Sequence, residues 1–140
     1  MERIFKRDLD QLGDVFSFLD GFADETNVGM PVVLPLRLAI EELFTNMVRH
    51  NPAGSSDITI SLDRDGDNIV VVLTDHDVAV PFDPTQSKHV DTTADLEDRE
   101  AGGLGIHLVK RMVDEIHYHY SAGTRQSKIT LIKSVDSQHA

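Results

Sequence analysis

The chain has no cysteine, which excludes disulfides and thiolate metal sites and fits a reducing compartment. Basic residues are scarce: 13 Lys plus Arg stand against 24 Asp plus Glu, a formal net charge of −11. A surface of that sign is poorly suited to neutralising a phosphate backbone, which argues against direct nucleic-acid binding. It still admits an anion that arrives with Mg²⁺, because the metal is then the dominant local charge. Apolar runs are short, so no membrane-spanning segment is expected, and the opening Met-Glu-Arg-Ile-Phe-Lys-Arg-Asp lacks the apolar core of a secretion signal. The expectation is a soluble cytoplasmic protein. Internal repeats, low-complexity tracts and mid-chain shifts in composition are also missing. At 140 residues, one domain over 1–140 is expected, long enough to bury a full core.

What the chain does have is a glycine cluster. Gly102, Gly103 and Gly105 fall within four positions, and Leu104, Leu108 and Met112 with Ile106, Val109 and Val113 then repeat at helical spacing. Glycines ahead of a helix let backbone approach a ligand closely, and the helix start offers unpaired N–H groups and a positive dipole end, together suited to phosphate. A tight turn before a core helix is the plainer reading. The spacing is neither the Rossmann fingerprint nor the P-loop, so a nucleotide site would need parts from elsewhere in the chain.

Taken in order, Ile4 and Phe5 read as an edge strand. Asp8 with Gln11 reads as a capping box, opening a helix over about 9–26 that Asn27 and Gly29 end. Pro31 and Pro35 mark the start of a second helix. Leu36, Ile40, Leu43 and Met47 form its apolar stripe, while Glu42, Asn46 and Arg49 or His50 form a narrow polar one. Ile58, Ile60 and Leu62 alternate as a strand, and Asp65-Gly66-Asp67-Asn68 turns it back into Ile69–Leu73, ending at Asp75-His76-Asp77. From about Val78 to Ala101 no period holds and acids outnumber bases, which suggests a lid over a ligand, at about 83–101. Glu115–Tyr120 and Ile129–Ile132 form a closing hairpin around a turn. The fold class expected is α+β: a two-layer sandwich with a mostly antiparallel, mixed sheet covered on one face by three helices.

Three segments stand in a fixed order: Glu42-Leu-Phe-Thr-Asn46, Asp77-Val-Ala-Val-Pro-Phe-Asp-Pro84 and Gly102-Gly-Leu-Gly-Ile106. Together they resemble the N, G1 and G2 boxes of the GHKL (Bergerat-fold) ATPases, and most of all the anti-sigma-factor serine kinases of the RsbW/SpoIIAB type. The resemblance covers nearly the whole chain. It implies binding of ATP with Mg²⁺, with Asn46 as the metal ligand and Glu42, one turn earlier, as general base. It implies that Asp77 accepts from the adenine amino group, that Thr130 lies near the adenine, and that Ala79, Gly102, Gly103, Leu104 and Gly105 line the nucleotide. Ala79 departs from the pattern, where the family has glycine. The partners implied are a STAS-type anti-anti-sigma protein as phosphoacceptor and a sigma factor, with a homodimer left open. The alternative is a nucleotide-gated binding module of the same fold without useful phosphotransfer. A separated histidine-kinase catalytic domain is a third reading, which would need a partner to supply the phospho-acceptor histidine. Lys88 and Arg99 in the lid are candidates for phosphate contact, His50 for a place near the phosphates or a helix-end cap, and His117 with His119 for a shared metal. Lys110 and Arg111 read as a solvated helix face.

Overall fold

A computed structural model describes residues 1–50, 57–76, 78 and 104–135, the side chains of 104–106 excepted. The elements are β1 (Glu2–Phe5), a 3-10 turn (Leu9–Gln11), α1 (Leu12–Thr26), α2 (Met30–His50), β2 (Ile58–Asp65), β3 (Asn68–Asp75), α3 (Leu104–Met112), β4 (Glu115–Ser121) and β5 (Gln126–Ser134). The strands form one sheet in the order β1-β2-β3-β5-β4, and every pairing among the described residues is antiparallel. The sheet is thus antiparallel rather than mixed over these residues, and the expected strand, two helices, hairpin, helix, hairpin order is present.

Alternation fixes which face is covered. Ile58, Ile60 and Leu62 on β2, Ile69, Val71 and Leu73 on β3, and Ile129 and Leu131 on β5 each point to the same side. There they join Val15, Leu19 and Phe22 of α1, the Leu36–Ile40–Leu43–Met47 stripe of α2, and Val109 of α3 in one core. Arg37 of α2 stacks 4.2 Å over the Phe16 ring of α1, closing the outer seam between the two helices.

The first helix starts differently from the capping-box expectation. Asp8 accepts from the N–H of Asp10, which opens a 3-10 turn, and Gln11 reaches back to the N–H of Lys6, so α1 proper begins at Leu12. A short side chain satisfying the N–H two residues on tightens the first turn. The other end follows expectation. Asn27 takes the left-handed conformation at φ 56°, and the N–H of Val28 closes onto the carbonyl of Ala23, a Schellman-type stop. Gly29 then accepts from Val32 and Val33, opening α2. Between β2 and β3 the hairpin tip is Gly66-Asp67, with Gly66 at φ 61° as a two-residue turn requires.

Candidate functional site

The site is built from α2. Helical spacing sets Glu42 and Asn46 one turn apart on one flank, between the core stripe and solvent. Asn46 is 5% exposed, and its amide Nδ2 is buried without a hydrogen-bond partner. A buried donor left unmet costs about 1–3 kcal/mol, so the position is expensive unless an acceptor is supplied from beyond the described residues or from a ligand. A phosphate oxygen fits that need, and the same amide carries a carbonyl oxygen of the kind Mg²⁺ takes together with phosphates and water.

Glu42 is half-buried, and burial holds its carboxyl above the usual 4.5, an effect opposed by Arg49 and reinforced by Glu41. It opens on a cleft of about 220 Å³ between α2 and α3, lined by Leu38, Glu41, Glu42, Leu108, Val109 and Met112. The walls of that cleft are mainly apolar, which explains the desolvation. His50, a turn past Asn46, is held below its usual value by burial and by Arg49. Leu104 and Gly105 form the first turn of α3, whose leading N–H groups have no partner within the helix.

On the sheet side, the end of β3 is tied down from three directions. Asp75, 5% exposed, is ion-paired with Arg7. The His76 ring lies 3.1 Å from both the Thr59 hydroxyl and the Gln126 amide nitrogen. The N–H of Val78 donates to the Arg125 carbonyl, and the Tyr120 hydroxyl donates to the Val78 carbonyl. Asp77 itself, Ala79, Gly102, Gly103 and the lid at 83–101, with Lys88 and Arg99, lie outside the described residues.

Thr130 does not join Glu42 and Asn46. It sits between the core residues Ile129 and Leu131, so alternation turns it to the opposite face, beside Val72 and His117. Ser127 has the inward parity instead. It is 6% exposed, pairs in register with Asp75, and has its hydroxyl 3.2 Å from that of Tyr118. Sequence reasoning overlooked it, although counting alternate positions back from Leu131 and Ile129 leads to it. His117 and His119 are exposed on the outer strand β4, where His117 Nε2 lies 3.2 Å from Glu115 Oε1. No group of three or more metal-ligating side chains is assembled among the described residues.

Helices thus cover one face of an antiparallel sheet, and the second of them carries a buried amide with an unmet donor and a desolvated carboxylate, the layout of a two-layer α+β domain. The chain belongs to the histidine kinase-like ATPase domain family, whose sequence model matches residues 5–133. It is similar to the serine-protein kinase RsbW of Listeria monocytogenes serovar 1/2a, 26% identical over 110 residues that cover 75% of this chain and 69% of that protein. The RsbW of Staphylococcus epidermidis is 28% identical over 103 residues, covering 69% of this chain and 64% of the relative. A chain from the crystal structure of the SiaB–SiaC complex of Pseudomonas aeruginosa superposes with a TM-score of 0.66 at 12% identity, covering 94% of this chain and 88% of that one. At that identity the likeness is one of fold.

Proposed function

We propose that this protein is an ATP-dependent serine/threonine protein kinase of the anti-sigma-factor type, acting on a hydroxyl of a STAS-type anti-anti-sigma protein, with a sigma factor as the alternative partner. The observation that carries the reading is the pair on α2: a buried amide with an unmet donor, and one turn before it a carboxylate with a raised pKa. Membership in an ATPase family and similarity to serine-protein kinases support it.

ATP bound with Mg²⁺ would supply the phosphoryl group and the charge neutralisation that lets it leave. Asn46 would hold the metal side, with Asp77 and the glycines at 102–105 for base and phosphates. Glu42 would take the proton of the incoming serine hydroxyl as that oxygen bonds to the γ-phosphorus, while the bond from that phosphorus to the bridging oxygen breaks and ADP leaves. A base works best with a pKa near the working pH, and burial moves Glu42 in that direction. The apolar side chains of Leu38, Leu108 and Met112 flank the carboxylate in the cleft.

The test is incubation with labelled ATP, Mg²⁺ and a STAS-type partner from a neighbouring gene, followed by identification of the phosphorylated residue. Glu42→Gln should bind Mg–ATP nearly as well as the parent but transfer phosphate at least about a hundredfold more slowly. Asn46→Ala should lose the Mg²⁺-dependent part of the affinity. Binding without phosphotransfer in the parent would favour the nucleotide-gated module, and an undiminished rate in Glu42→Gln would place the base elsewhere.

A further inference from the structure

Arg7 lies in the turn after β1, and its side chain is only 5% exposed. A buried guanidinium is tolerated only where its charge and donors are met. Nη1 donates over 3.0 Å to the Met47 carbonyl, and Nη2 pairs with the buried Asp75 carboxylate. Met47 follows Asn46, and its carbonyl is among the last four of α2, which a helix leaves without an internal partner. Asp75 ends β3, two residues before Asp77. A single planar fork therefore spans from the residue after the candidate metal-side amide to the strand that leads into the candidate adenine carboxylate. Apolar packing between the layers resists separation but fixes direction weakly. Two hydrogen bonds from one rigid plane fix both distance and direction.

We infer that Arg7 is a positioning residue for the nucleotide site: it sets the spacing between α2 at Asn46 and the end of β3, and through it the fit of a nucleoside triphosphate gripped from both elements. The inference rests on the nucleotide reading above.

The test exchanges the whole pair for apolar groups, Arg7→Met with Asp75→Leu, because removing one partner alone strands a buried charge. Calorimetry with ATP and MgCl₂ is run well below the melting temperature, so that only folded protein is titrated. The double variant should melt close to the parent yet bind Mg–ATP about tenfold or more weakly, since small misplacements of gripping groups are costly. Arg7→Lys, which keeps the charge and loses the fork, should fall between. A pair that only holds the fold together would leave the Kd of the folded double variant unchanged, and that result overturns the inference. Should the double variant not fold, Arg7→Lys decides alone: a raised Kd supports the positioning role and an unchanged one overturns it. A parent that binds no Mg–ATP sinks the nucleotide reading and the positioning role with it, an outcome distinct from an unchanged Kd.

Discussion

Glu42 carries a consequence for stability apart from its proposed chemistry. A carboxyl whose pKa is raised on folding prefers to fold protonated, so its ionisation works against the native state. That cost is absent below the unfolded value near 4.5 and complete above the raised folded value. Glu42→Gln carries no charge, so it should melt higher than the parent at neutral pH, and the gap should close as pH falls through the carboxylate range. Melting curves at stepped pH check this, and a gap that stays constant down to pH about 4 would rule it out. Stability held back at positions that serve a ligand is a common compromise, and Asn46, with its donor unmet among the described residues, carries a similar cost. At this scale the sequence was only partly legible. The spacing of Glu42 and Asn46 placed them together, because helical geometry is local. Whether a strand residue faces the helices depends on where alternation is anchored, and Thr130 against Ser127 shows how one position decides it.

At the scale of elements, the ends are set by backbone conformation more than by packing. Asn27 at φ 56° terminates α1 in a region that side chains with a Cβ enter at a cost of roughly 1–2 kcal/mol, Asn least of all. Asn27→Ala should therefore lose about 1 kcal/mol, while Asn27→Gly should stay within a few tenths of the parent. Chemical denaturation of the three proteins measures both, and equal midpoints for Ala and Asn would contradict the conformational account. Most elements were readable because their signals are local: the apolar period of α1 and α2, alternation in β2, the Asp65-Gly66 turn. Asp8 caps the first helical turn as expected, but the turn is 3-10 because Asp8 takes the nearer N–H, of Asp10, and Gln11 closes onto Lys6 instead of Asp8. The Arg7–Asp75 pair spans 68 positions, and no local pattern announces it.

For the whole molecule, the sheet order matters most. β5 enters between β3 and β4, so the central ladder joins Asn68–Asp75 to a strand that begins only at Gln126, far along the chain. Such pairing forms late, because loop closure must precede the contacts that reward it. Once formed, it leaves β3 hydrogen-bonded along its length on both sides, with Ile69, Val71 and Leu73 fully buried, whereas β1 and β4 each have one neighbour among the described residues. Solvent deuterium should record that difference as a sequence in time. Amides of β1 and β4 should take up label first, through fraying that leaves the rest of the fold intact. Those of Val70 to Leu73 should exchange only when the entire domain opens, so their rates report the global unfolding free energy. Slow amides in β3 that follow global stability when denaturant is added would bear this out, and β4 amides protected equally long would contradict it. The strand that ends beside the proposed nucleotide site is then also the last to let go.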